Sequence, residues 1–139
     1  MILILNGPNL NMLGKRDNKI YGKENYEHLK TLIYNWGEKN NFEIEIFQSN
    51  HEGEIIDRLQ KENYEYLIIN PGAFTHYSIA IRDCLEYIKI PKIEVHISNI
   101  FSREEFRRKS VISEICDGVI SGFGIKSYLL ALENFKGSK

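Results

Sequence analysis

The chain has 139 residues, enough for one domain over 1–139 with a substantial core. Its hydrophobic share is 42%, its charged share 27% and its formal net charge -1, so no overall field draws it to nucleic acid or to an anionic membrane. Its cysteines, Cys84 and Cys116, form no C-x-x-C pair and have no histidine at metal-ligand spacing, so they read as small buried hydrophobes in a reducing compartment.

The N-terminal run "MILILNG" is too short for a signal h-region and lacks a basic flank, and no window nears the ~20 apolar residues of a membrane helix. The expected location is cytoplasmic. "ILIL" (Ile2 to Leu5) is a first strand. Tyr26, Leu29, Ile33 and Trp36 then fall at helical spacing. "FEIEIF" (Phe42 to Phe47) alternates, which suggests an edge strand with one wetter face. Ile55, Ile56 and Leu59 mark a second helix. "YLII" (Tyr66 to Ile69) is a third strand, and Ile79, Cys84, Leu85 and Ile88 a third helix. "KIEV" runs into His96, "GVIS" spans Gly118 to Ser121, and "KSYLLALENF" closes the chain as an amphipathic helix.

The reading is strict β-α alternation through five strands. Short, nearly all-apolar strands between helices mean a parallel sheet covered on both faces. A β/α barrel needs roughly 250 residues. The expected fold is therefore an α/β three-layer sandwich with a five-stranded parallel sheet in the order 2-1-3-4-5.

Ligands of such sheets bind beyond the carboxyl ends of the strands. Those ends read "NGPNLNMLGKRDNKIYG", "NPGAFTHYS", "HISNIFSREEFRRKS" and "GFG", and three of the four are rich in Asn, His, Arg, Ser and Tyr. The first is long for a loop without its own structure, as lids are, with Gly14 and Gly22 as candidate hinges. It matches neither dinucleotide nor P-loop glycine spacing. No G-x-S-x-G elbow occurs. What remains is acid-base chemistry. His76 and His96 lie at two strand ends, whereas His28 and His51 read as structural or surface. A phenol with a pKa near ~10 is a poor base at neutral pH. The Arg16 guanidinium, always charged, can favour the Tyr21 phenolate if the two approach within ~4–6 Å. Arg103 and Arg107 share a face on helical spacing, as a solvated face or as an anion or polyol clamp with Ser98.

Taken in order, "NGPNLNMLGKRDNKIYG", "SNHEGEIID", "NPGAFTHYSIAIRD", "EVHISN", "REEFR" and "GFGIKSYLLAL" resemble the type II 3-dehydroquinate dehydratases over nearly the whole chain. The resemblance implies a flavodoxin-like fold and the conversion of 3-dehydroquinate to 3-dehydroshikimate with neither metal nor cofactor. It implies Tyr21 as the base at C2, Arg16 as its activator, and Asn9 as stabiliser of the enolate through a bound water. His96 is implied as the acid on the departing C1 hydroxyl, with Glu94 orienting its ring and Asn70 holding the same hydroxyl. Ser98 and the backbone amide of Ile97 are implied as the carboxylate site, and His76 and Arg107 as partners of the ring hydroxyls. Asp83 is implied to reach a neighbouring subunit's site in a homododecamer built of trimers. Asn18, Lys109 and Ser127 depart from the family's usual proline, histidine and glycine.

Two other readings compete. One is a flavodoxin-like module binding a small anion, which a ligand would stabilise without turnover. The other is a different cofactor-free lyase or isomerase acting alpha to a ketone, which a substrate panel separates from the first.

Overall fold

Successive side chains of a strand point to opposite faces of its sheet. In β1 (Ile2–Asn6) both faces are apolar: Ile2 and Ile4 join one buried cluster, Leu3 and Leu5 another. A strand of this pattern must be covered on both sides. The computed structural model describes residues 1–15 and 24–138. After β1 come α1 (Tyr26–Asn40), β2 (Ile44–Gln48), α2 (Glu52–Leu59), β3 (Tyr66–Asn70), α3 (Ile79–Tyr87), β4 (Lys92–His96), β5 (Gly118–Ser121) and α4 (Lys126–Phe135). The sheet has the expected order β2-β1-β3-β4-β5, and every pairing is parallel. The alternating segment forms the edge strand β2, partly buried along its whole length.

The two faces have separate cores. Leu29 and Ile33 of α1 and Tyr128, Leu132 and Phe135 of α4 close one; Ile55 and Leu59 of α2 and Ile81 and Leu85 of α3 close the other. All but Phe135, at 1%, are completely buried, so truncating any of the leucines to alanine costs about 2–5 kcal/mol. Local signals agree with these boundaries. The Asn25 side chain accepts the His28 amide at 2.8 Å to start α1, and Ser78 accepts the Ile81 amide at 3.1 Å to start α3. Among the described residues, no helix is long and apolar enough to cross a membrane.

The connection from β4 to β5 departs from strict alternation. It holds three short 3-10 turns, Ile100–Ser102, Glu105–Arg107 and Ser113–Ile115, in place of an α-helix. The physical reason is local competition for backbone groups. The Asn99 side chain takes the Phe101 amide at 3.1 Å, and Ser110 Oγ takes the amides of Ile112 and Ser113 at 3.0 Å each. Arg103 follows the first turn and Arg107 ends the second, so the two do not share a helix face.

Candidate active site

The register aligns the polar strand ends. Asn6 lies beside Asn70 and Gln48, and His96 lies beside Ser121. Beyond these ends the loops enclose a cavity of about 260 Å³. Of the residues singled out from the sequence, Asn9, Asn70, His76, His96, Ile97, Ser98 and Arg107 all line it. Glu94 lies behind His96 rather than in the cavity. Asp83 is exposed on α3 and does not line it. Tyr21 and Arg16, with Asn18 and Gly22, fall outside the described residues.

Close backbone contact fixes the first and third loops together. A Cβ on Gly7 would stand 2.3 Å from the Pro71 carbonyl oxygen, so only glycine fits. Gly72 has φ +59° and faces the Pro8 carbonyl in the same junction. Asn9 is left-handed at φ 70°, a conformation uncommon for a residue with a side chain and frequent at ligand sites. Its amide is held by Asn50 Oδ1 at 3.0 Å, and Gln48 Nε2 donates to that same oxygen at 3.1 Å.

Asn70 is 3% exposed, and its amide is oriented by two bonds. Its Oδ1 accepts the Gly72 amide at 3.1 Å and its Nδ2 donates to the Tyr128 phenol at 2.8 Å. Tyr128 in turn donates to Asn6 Oδ1 at 2.6 Å. Burial drives the Tyr128 phenol well above its ordinary pKa, despite the opposing Asn70 bond, so it stays neutral. His76 Nδ1 lies 2.7 Å from the Lys109 carbonyl oxygen. A carbonyl only accepts, so Nδ1 carries a proton, and in the neutral ring Nε2 is the acceptor.

His96 Nε2 contacts Oε2 of Glu94, a side chain with no solvent exposure. Burial pushes the Glu94 carboxyl upward. The hydrogen bond and charge of His96, with the hydroxyls of Ser113 and Thr75, outweigh that and hold it below the ordinary carboxylate range. At the far wall, Arg103 reaches Ser98 Oγ at 3.5 Å, and Arg107 Nε donates to Glu104 at 2.6 Å. The Ile97–Ser98 segment is pinned from β5: Ser121 Oγ donates to the Ser98 carbonyl at 2.9 Å, and the Gly124 amide to the Ile97 carbonyl at 2.9 Å.

Sequence reasoning held Arg103 open as a solvated residue or as part of an anion or polyol clamp, and it lines the cavity. The same reasoning missed Thr75, Ser110 and Ser113 around Glu94, and Tyr128 behind Asn70. Thr75 and Tyr128 lie inside the motifs that carry the resemblance, and their positions there were the available signal. The others act across long separations that no local pattern reveals.

The arrangement offers imidazoles, amides and guanidinium groups to a small, oxygen-rich ligand, with one imidazole backed by a carboxylate. Known proteins share the whole framework. A 3-dehydroquinate dehydratase of Thermotoga petrophila is 64% identical over 135 residues, covering 97% of this chain and 94% of that relative. The type II dehydroquinase of Butyrivibrio crossotus superposes with a TM-score of 0.93 at 52% identity, covering 96% of this chain and 94% of that one. That of Propionibacterium acnes gives 0.92 at 41% identity, over 98% and 95%. The family described as Dehydroquinase class II matches residues 1–136, and with that agreement in sequence and fold this chain belongs to the class II dehydroquinase family.

Proposed function

We propose that this chain is a hydro-lyase that dehydrates 3-dehydroquinate to 3-dehydroshikimate, as the names of its relatives indicate. The observation that carries this reading is His96 at the cavity wall with its Nε2 against the fully buried Glu94. An imidazole held this way suits a general acid for a departing hydroxyl.

The reaction removes a proton alpha to a ketone and expels a hydroxyl beta to it. Stepwise elimination needs a base, a means of stabilising the enolate, and a separate acid. In this reading Tyr21, activated by Arg16, takes the C2 proton, and the electron pair moves into the enolate held through Asn9. The enolate collapses, the C1–oxygen bond breaks, and the hydroxyl leaves as water with a proton from His96. Asn70 holds that hydroxyl, and Glu94 orients the acid. Ile97 and Ser98 bind the substrate carboxylate, while His76 and Arg107 bind ring hydroxyls. Arg103, beside Ser98, adds positive charge to the carboxylate end.

The proposal extends to a cytoplasmic dodecamer of trimers, in which the exposed Asp83 of one subunit reaches the site of another. The test is a pair of variants. Tyr21→Phe and His96→Ala should each lower kcat by roughly 10²–10⁴-fold. In both, 3-dehydroquinate should still raise the melting temperature. Retained turnover in Tyr21→Phe overturns the base assignment.

A further inference from the structure

Glu94 is closed in by hydroxyls. Thr75 Oγ1 donates to its Oε2 at 2.9 Å, Ser113 Oγ donates to its Oε1 at 2.9 Å, and Ser110 Oγ lies 3.3 Å from Oε1. Ser110 Oγ also sits 2.7 Å from Thr75 Oγ1. Two backbone amides, those of Ile112 and Ser113, point at Ser110 Oγ at 3.0 Å each.

Proton bookkeeping fixes the direction of this network. A hydroxyl has one proton and two lone pairs, and an amide N–H only donates. The two amides therefore occupy both lone pairs of Ser110, and its proton must point away from them. Thr75 Oγ1 is the nearest acceptor. Thr75, receiving that proton's bond, turns its own proton to Glu94. Should Ser110 donate straight to Oε1 instead, Thr75 Oγ1 still donates to Oε2, so in either case the last proton of the relay faces the carboxylate. A proton placed on Oε2 of Glu94 then finds no acceptor in the Ser110–Thr75 relay. The other partner of that oxygen is Nε2 of His96.

We infer that Ser110 and Thr75 are positioning residues for the reaction: their relay, polarised by the Ile112 and Ser113 amides, keeps a proton on Nε2 of His96, so that Nδ1 is the nitrogen that serves the departing hydroxyl. His96 enters the step protonated on both nitrogens, its Nδ1 proton taken up from solvent. Nδ1 gives its proton to the hydroxyl, which leaves as water with the electron pair of its carbon–oxygen bond. His96 is left neutral, with its remaining proton on Nε2. The leaving hydroxyl in this inference rests on the dehydratase reading; the placement of the proton on Nε2 does not.

Thr75 is completely buried, and valine matches its shape without the hydroxyl. The experiment is nitrogen NMR of the full chain with ¹⁵N-labelled histidine, the His96 signal being assigned by its loss in His96→Asn. Steady-state kinetics with 3-dehydroquinate run alongside. The parent and Thr75→Ser should show neutral His96 as the Nε2–H tautomer alone. Thr75→Val should show a mixture of tautomers, with kcat lower by roughly tenfold and KM within about twofold. Ser110→Ala, which changes a half-buried site and keeps the buried Thr75, should move both readouts the same way. An unmixed Nε2–H tautomer with parental kcat in folded Thr75→Val or in Ser110→Ala overturns the inference, as does Thr75→Ser behaving like Thr75→Val. If the folded parent does not turn over 3-dehydroquinate, the dehydratase reading falls, and the tautomer of Thr75→Val still decides whether the relay exists.

Discussion

The phenol of Tyr128, on the last helix, accepts a 2.8 Å hydrogen bond from Nδ2 of Asn70, at the end of β3. Tyr128 is completely buried and also donates to Asn6 at 2.6 Å. Tyr128→Phe removes the hydroxyl and leaves two buried amide groups short of a partner. The expected cost is about 1–3 kcal/mol in urea denaturation. Because the Asn70 amide loses its anchor, kcat should fall as well.

A second prediction concerns the junction of the first and third loops. Gly7→Ala places a methyl group 2.3 Å from the Pro71 carbonyl oxygen, and backbone must shift to relieve it. Overpacking of this kind costs about 1–3 kcal/mol. Thermal unfolding should show a melting temperature lower by roughly 3–10 °C.

A third concerns Lys109, whose backbone borders the candidate site. His76 is met by the backbone carbonyl of Lys109 and not by its side chain. Lys109→Ala should leave KM within about twofold of the parent, since the carbonyl is retained. A steady-state titration with substrate checks this.

A fourth follows from Glu94. Its carboxyl is held below the ordinary value of 4.5 in the folded protein. A depressed folded pKa contributes stability that is present above the unfolded value and is lost as pH falls through the folded one. Urea unfolding measured from pH 7 downward should therefore lose stability below about pH 4.5. In Glu94→Gln this loss should be shallower, because the titrating group is gone. Glu45, lowered by its hydrogen bond to Arg58, contributes in the same direction and remains in both proteins.

The strands were legible as short apolar runs: "ILIL", "YLII" and "KIEV" form covered strands, and "GVIS" forms the edge strand β5, where Val119 is exposed. The mouth of the sheet was legible because His96 ends β4 and Ser98 and His76 lie in the segments that leave β4 and β3. The β4–β5 connection was not. Its Arg103 and Arg107 have helical spacing, but Asn99 and Ser110 capture the backbone amides that a helix needs. The surroundings of Glu94 were hidden for a different reason. Thr75, Ser110 and Ser113 reach it across 16 to 19 residues of chain, and only the folded sheet brings them together. Ser127 is completely buried, and its hydroxyl accepts the Phe123 amide at 3.3 Å.

The most direct test of the central claim is an absorbance measurement. The purified full chain is treated with a chelator, mixed with 3-dehydroquinate and followed in the ultraviolet, where the conjugated enone of 3-dehydroshikimate absorbs. The account predicts a rise that survives the chelator and also survives borohydride added with substrate, as an enolate route through Tyr21 and His96 requires. A folded protein that produces no rise, or one that borohydride inactivates only when substrate is present, contradicts it.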